Sequence, residues 1–350
     1  MINHIIKDDL EIIISHKLDW SKFDDSLVLI TGANSYIAAY ILETLLYLND
    51  KYDKKIKVVA LARDKEKALK KYSHHQGRKD LEFIFQDVCQ PIKIKEPINF
   101  IVHAASQSSP KYYEHDPVGT LCANTIGTIN LLKITNKNDL KGFLFLSTGG
   151  VYGEVKANQL PTKENNYGYI DPTDVMSCYN ESKRMGENIC VCWSHQYGIP
   201  TKIARISWVY GPGMDLNDER VVSSFVSDIL NKRDIIIKSD GRATRSFCYI
   251  ADATKAFFTL LLNGANGGAY NVGVEKETSI YELAKIIVAQ SPKNGIKIIR
   301  KHGHRSLYHQ QHVFKRSCLA ITKIKKLGWK PQININDGIK RTIQSYCNDE

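Results

Sequence analysis

Leu27-Val28-Leu29-Ile30-Thr31-Gly32-Ala33-Asn34-Ser35-Tyr36-Ile37-Ala38 decides the reading of this chain. A short aliphatic run enters a glycine turn, and a helical pattern near 36–48 follows it. At such a turn glycine lets the backbone come close to a pyrophosphate, and the helix N-terminus supplies N–H donors to the anion. The unit then recurs. Lys57-Val58-Val59-Ala60-Leu61 precedes a charged helical pattern near 64–73. Leu81–Phe85, Phe100–His103, Gly142–Ser147 and Thr201–Ile206 are further strand candidates. Strand and helix alternating in this way predict an α/β fold, a doubly wound parallel sheet with helices on both faces.

Past residue 206 the rhythm breaks into helices and loops rich in Gly, Pro, Asp and Asn. The expected division is an N-terminal extension over 1–24 and a dinucleotide-binding domain over 25–205 with about 246–275. A smaller C-terminal α/β substrate domain takes 206–245 and 276–350. The 350 residues, 43% apolar and 24% charged, have the balance of a globular protein with a large core. No apolar run approaches the ~18 residues that a membrane span needs. Asp8, Asp9 and Glu11 interrupt the N-terminus, unlike a secretory signal, so a cytoplasmic protein is expected. The eight cysteines are scattered without a C-x-x-C pair, which predicts neither a disulfide framework nor a metal site. The net charge of +11 comes from lysines mixed with acids, as in Arg63-Asp64-Lys65-Glu66-Lys67. That pattern reads as a solvated surface, not a nucleic-acid or membrane face, and it suits an anionic small substrate.

The chemistry lies in Tyr179-Asn180-Glu181-Ser182-Lys183. Four residues apart on a helix, the phenol and the ammonium project from one face. A tyrosine with a pKa of about 10 is a poor proton carrier at neutral pH, and a neighbouring cation favours its phenolate. About thirty residues earlier, Phe143-Leu144-Phe145-Leu146-Ser147-Thr148-Gly149-Gly150 is a strand that ends in hydroxyls.

These stretches resemble the extended short-chain dehydrogenases, in the branch of sugar-nucleotide epimerases and dehydratases. The resemblance covers roughly residues 25–345. Ala105-Ser106-Gln107-Ser108-Ser109-Pro110, Asp116-Pro117-Val118-Gly119-Thr120 and Asn124-Thr125-Ile126-Gly127-Thr128 are similar to UDP-xylose synthase motifs. So are Tyr210-Gly211-Pro212-Gly213-Met214, Glu219-Arg220-Val221-Val222 and Arg245-Ser246-Phe247. The resemblance implies a Rossmann sheet, a nucleotide-diphosphate sugar as substrate, a homodimer, and three catalytic residues. Thr148 would hydrogen-bond the reacting sugar oxygen, Tyr179 would exchange its proton, and Lys183 would hold the nicotinamide ribose and depress the tyrosine pKa. The implied cofactor residues are Gly32, Asn34, Ser35, Tyr36 and Ile37 in the first turn and Arg63 after the second strand. Asp87 and Val88 would stand beside the adenine, and His103, Ala104 and Ala105 along the diphosphate. Ser106, Arg220, Val221, Arg245 and Arg316 would join Thr148 in binding the substrate, while Asn124 and Ser147 would be supporting residues.

The departures from the family pattern carry as much as the matches. Ser35 and Ala38 replace the later glycines of T-G-x-x-G-x-x-G, and serine adds a Cβ where the cofactor comes closest. Ala62 cannot bind the adenosine ribose as an acid would, whereas Arg63 could meet a 2′-phosphate, so NADP(H) is expected over NAD(H). The family's dehydratases place Asp-Glu after the threonine, and its decarboxylases keep the glutamate. Here Gly149 and Gly150 stand there, with Trp208 for a polar residue and Leu319 for an aspartate. Elimination then lacks its acid and base unless His103 or Glu181 substitutes. Reduction of a 4-keto-6-deoxy nucleotide sugar, as in dTDP-fucose formation, is the expected reaction. A 4-epimerase is the alternative, followed by a 4,6-dehydratase, a UDP-glucuronate decarboxylase or a non-catalytic sensor.

Overall fold

The computed structural model describes residues 3–291, 295–300 and 316–347. Parts of the expected extension and substrate domain, at 1–2, 292–294, 301–315 and 348–350, lie outside the described residues. The first unit runs β1 (Leu27–Thr31), α2 (Tyr36–Tyr52), β2 (Lys57–Ala62), α3 (Lys65–Lys71) and β3 (Leu81–Phe85), after an opening helix α1 (His4–Ile14). The second runs β4 (Phe100–His103), α4 (Pro110–His115), α5 (Pro117–Asn124), α6 (Ile126–Lys133), β5 (Gly142–Thr148), α7 (Cys178–Tyr197) and β6 (Thr201–Ile206). With β11 (Gly268–Val272) these strands make one seven-stranded parallel sheet, ordered β3-β2-β1-β4-β5-β6-β11.

The chain moves outward from β1 to β3, then returns beside β1 as β4 and moves the other way. Open α/β sheets bind ligands at this reversal, beyond the carboxyl ends of the strands. Both sheet faces are buried, so the central strands are apolar without polar alternation. In β1, Val28 and Ile30 enter one core with α2 and α9 (Ile250–Asn263), while Leu27 and Leu29 enter the other with α6 and α7. The remaining described elements are β7 (Trp208–Tyr210), α8 (Val221–Leu230), β8 (Ile235–Ile237), β9 (Thr244–Arg245), β10 (Phe247–Tyr249), β12 (Thr278–Ser279) and α10 (Ile280–Ala289). They are followed by β13 (Ile298–Arg300), β14 (Arg316–Ser317), α11 (Thr322–Lys325) and α12 (Ile335–Cys347).

The N-terminal segment is not a loose appendage. Leu10, Ile13 and Ile14 of α1 are buried in the main core, and α1 packs on α9, α2 and α12. Its Asp9 is fully buried, accepts from the hydroxyls of Tyr40 (2.9 Å) and Tyr249 (2.8 Å), and pairs with Arg341 at 2.7 Å. Among the described residues no helix is long and apolar enough to cross a membrane.

Candidate active site

The first turn is built around Gly32. Its φ is +67°, a left-handed conformation suited to glycine, and an added Cβ would meet the Ala105 backbone at 2.7 Å. The Thr31 hydroxyl ties the turn to β4, accepting from the N–H groups of Ala104 (3.2 Å) and Ala105 (3.1 Å) and meeting His103 Nδ1 at 2.8 Å. Thr31 thus organises the turn, a role that its place before the glycine could have signalled. Ser35 has an ordinary extended backbone (φ −74°, ψ 153°) and caps α2 by accepting from the Ala38 N–H. No conformational demand for glycine exists there, and the serine hydroxyl satisfies a first-turn donor. The N–H groups of Tyr36 and Ile37 belong to the same first turn, where no carbonyl of the helix can reach them. They fit an anion. The Asn34 side-chain oxygen is buried without a partner, while its amide donates to the Asp64 carbonyl at 2.9 Å.

At the end of β2, Arg63 is 63% exposed and stands 3.8 Å from Asp87. Asp64 is not free to bind a ribose, because its carboxylate caps α3 through the Lys67 N–H at 2.9 Å. Asp87 accepts from the Cys89 N–H, and Val88 is buried below it.

Thr148 ends β5 and Tyr179 and Lys183 lie in the first turns of α7, so the structure brings the three together. Lys183 is 2% exposed; its Nζ donates to the Leu146 carbonyl at 2.7 Å and lies 4.8 Å from the Phe145 ring centroid. Burial lowers its pKa to about 7. An ammonium has three donors, and one carbonyl is its hydrogen-bond partner among the described residues. The remaining donors suit the hydroxyls of a ribose. Tyr179 is partly buried and stacks on Tyr113, with centroids 5.2 Å apart and planes at 13°. Burial lifts its phenol to about 12, opposed by a hydrogen bond with Thr148 and by the charge of Arg220.

The positive charge that acts on the tyrosine in this structure is not that of Lys183. Here Arg220 supplies that charge, and Lys183, with its own pKa near neutrality, sits 5.9 Å from the tyrosine ring centroid. Neither Arg220 nor Tyr113 was placed beside Tyr179 by sequence spacing.

Ser147 and Asn124 are supporting residues. Ser147 donates to Glu187 (2.5 Å), which pairs with Arg205 at 2.6 Å, and Asn124 donates to Ser182 Oγ at 2.9 Å. The two substitutes for the missing acid are unsuitable. His103 is buried, held by Thr31, and pushed by burial to a pKa of about 3. Glu181 is paired with Arg184 at 3.2 Å. A Cβ on Gly149 would touch Leu319 at 3.4 Å, and one on Gly150 would lie 2.1 Å from Asn180 Oδ1. The Cβ position of Gly150 is therefore taken by a carboxamide, while a Cβ on Gly149 would have room with Leu319 at ordinary contact distance.

Arg245 is 8% exposed, donates to the Thr244 carbonyl at 2.7 Å, and lies 5.4 Å from the Trp208 ring centroid. No carboxylate pairs with it among the described residues, and burial lowers its pKa to about 10. Such a guanidinium is prepared for an anion. Arg220 instead pairs with Asp218 at 2.8 Å and stands just before α8, where Val221 is partly buried. Arg316 pairs with Glu277 at 2.5 Å in β14, which lies beside β9 and so near Arg245. The Ser106 hydroxyl is buried without a partner.

A reversal-point glycine turn, first-turn N–H donors and a Tyr–Lys helix beside a threonine define a dinucleotide-dependent enzyme. The sequence model of the NAD dependent epimerase/dehydratase family matches residues 28–273, and the chain belongs to that family. UDP-glucuronic acid decarboxylase 5 of Arabidopsis thaliana is 32% identical over 323 residues, 91% of this chain and 89% of that protein. UDP-glucuronic acid decarboxylase 1 of Xenopus tropicalis is 30% identical, over 93% of this chain and 73% of its own length. Among solved structures, UDP-glucose 4-epimerase of Thermotoga maritima, crystallised with UDP-glucose, superposes with a TM-score of 0.77. That match has 24% identity and covers 92% of this chain and 98% of that one. dTDP-glucose 4,6-dehydratase of Bacillus anthracis, in complex with NAD, gives a TM-score of 0.74 at 21% identity, covering 93% and 97% of the two chains. At these identities the structures establish the shared fold.

Proposed function

We propose that this enzyme carries out hydride transfer at C4 of a nucleotide-diphosphate sugar, and that its net reaction is reduction of a 4-keto-6-deoxy sugar. One observation carries the reading: Thr148, Tyr179 and Lys183 are together, while Gly149 and Gly150 beside Thr148 bear no titratable group and the Asn180 carboxamide fills the space at Gly150. A carboxamide neither gives nor takes a proton near neutrality, so elimination has no catalyst there. Reduction needs only one proton besides the hydride. When bound, the nicotinamide supplies the hydride; Tyr179 gives its proton to the oxygen at C4, and Thr148 orients that oxygen. Lys183 holds the cofactor ribose, and Arg245 with Arg220 and Arg316 takes the diphosphate and nucleotide. Residues 25–205 with about 246–275 would hold the cofactor, and 206–245 with 276–350 the sugar nucleotide. Exposed Arg63, with Asp64 committed to its cap, supports NADP(H) over NAD(H). Exposed Val118 and Leu121 on α5 and Met185 on α7, two helices that pack together, support a homodimer through these helices.

The names of the plant and amphibian relatives favour a second reading, decarboxylation of UDP-glucuronate. The experiment incubates the enzyme with UDP- and dTDP-linked 4-keto and 4-hydroxy sugars, dTDP-glucose and UDP-glucuronate, with and without NADPH. Stoichiometric NADPH consumption with a 4-keto sugar is expected. Isomerisation without net oxidation would make the enzyme an epimerase. Loss of water from dTDP-glucose, or of carbon dioxide from UDP-glucuronate, would return it to the lyases.

A further inference from the structure

We propose that Glu43, His74 and His75 form a binding site for one divalent transition-metal ion of zinc-like preference, away from the catalytic residues. Glu43 projects from α2, and the two histidines lie in the short turn Ser73–His75 after α3. His74 Nε2 is 2.9 Å from one carboxylate oxygen and His75 Nε2 is 2.7 Å from the other. The three ligand atoms lie within 4.8 Å of one another, and the imidazoles are 4.1 Å apart between centroids. Zinc takes nitrogen and carboxylate oxygen at ~2.0–2.2 Å, which separates tetrahedral ligand atoms by about 3.4 Å. Widening the present contacts of 2.7 and 2.9 Å to about 3.4 Å, by roughly half to three-quarters of an ångström, opens room for the ion, with its last position left to water.

The charge arrangement points the same way. Glu43 is 7% exposed and is the only charged residue among the buried residues of α2. Two imidazoles therefore converge on one buried carboxylate, and a single cation can serve all three. Imidazole and carboxylate together suit zinc, cobalt or nickel better than magnesium or calcium. The competing charge is that of Lys71, which interacts with Glu43.

The site would join two walls of the cofactor turn. Glu43 lies seven residues, about two helical turns, beyond the start of α2 at Tyr36. Tyr72, next to the histidine turn, donates to the Ala33 carbonyl at 2.7 Å.

Tag-free, chelator-treated protein would be titrated with zinc alone by calorimetry against a competing chelator. The sequence holds other histidines, including His302, His304, His309 and His312, so the reading is a difference between proteins. Wild type is expected to bind one equivalent more than the His74→Ala/His75→Ala variant, and Glu43→Gln to bind at least about tenfold more weakly. Cobalt should give visible d–d absorption in wild type, and Lys71→Met should tighten binding. If the double variant does not fold, Glu43→Gln replaces it in the comparison, and equal zinc and cobalt affinity of wild type and Glu43→Gln would overturn the proposal. Equal zinc uptake by wild type and a folded double variant, or no cobalt spectrum in wild type, would overturn the proposal.

Discussion

The side chain of Asn180 occupies the space that any side chain at position 150 would need: a Cβ added to Gly150 lies 2.1 Å from Asn180 Oδ1. Gly150 and Asn180, the residue after Tyr179, are thus one feature. Gly150→Glu alone should overpack the site and destabilise the protein by about 1–3 kcal/mol. Adding Asn180→Gly should recover most of that loss, because it vacates the space. Urea unfolding of Gly150→Glu, Asn180→Gly and the double variant checks the coupling; additive effects would mean the two residues are independent.

Tyr179→Phe keeps the ring stacked on Tyr113 and removes only the hydroxyl. Turnover of the 4-keto sugar should fall by ~10²–10⁴, the usual scale for general acid–base catalysis. Thermal stability should change little. A rate equal to wild type would remove Tyr179 from the proton path.

Lys183 makes stability depend on pH. Its folded pKa is about 7, against 10.5 for an ordinary lysine. Below about 7 both folded and unfolded chains hold the proton, and the penalty for burying the ammonium is full. Between about 7 and 10.5 the unfolded chain binds more protons, so stability rises with pH. Lys183→Met should lose this rise, and the gap between the two proteins should narrow from pH 7 to pH 10 in denaturant titrations.

Arg63 should set the choice of cofactor. Wild type is expected to have a lower KM for NADPH than for NADH. Arg63→Ala should raise the NADPH value while leaving the NADH value nearly unchanged, since its contact would be with the 2′-phosphate alone. Wild type preferring NADH would end this reading.

Much of the sheet was legible because its strands are apolar runs with abrupt ends. Leu81–Phe85, Phe100–His103 and Thr201–Ile206 have the expected bounds. Helix α2 runs on to Tyr52, beyond the expected 48, because its stop is Asp53 in the left-handed region (φ 49°) and not a glycine. Tyr179 and Lys183 were legible because four-residue spacing fixes a helical face. Tyr113 and Arg220 were not, since only tertiary packing brings them to that tyrosine. Nor was Asn180, whose place beside Gly150 depends on how α7 meets the end of β5.

Asp9 shows the same limit at the level of stability. In the sequence it is one of several acids that interrupt an N-terminal helix, yet it joins partners 31, 240 and 332 residues away. Burial raises its pKa despite the Arg341 charge, so the carboxylate is held by its three donors and not by solvent. Asp9→Ala would leave two phenols and a guanidinium facing an empty space. Breaking a buried pair by removing one partner costs about 3–5 kcal/mol, far above an exposed substitution. The expected result is a large fall in the urea midpoint, whereas Asp8→Ala, one residue away and exposed, should leave it unchanged. Similar midpoints for the two variants would mean that α1 is not part of the cooperative core.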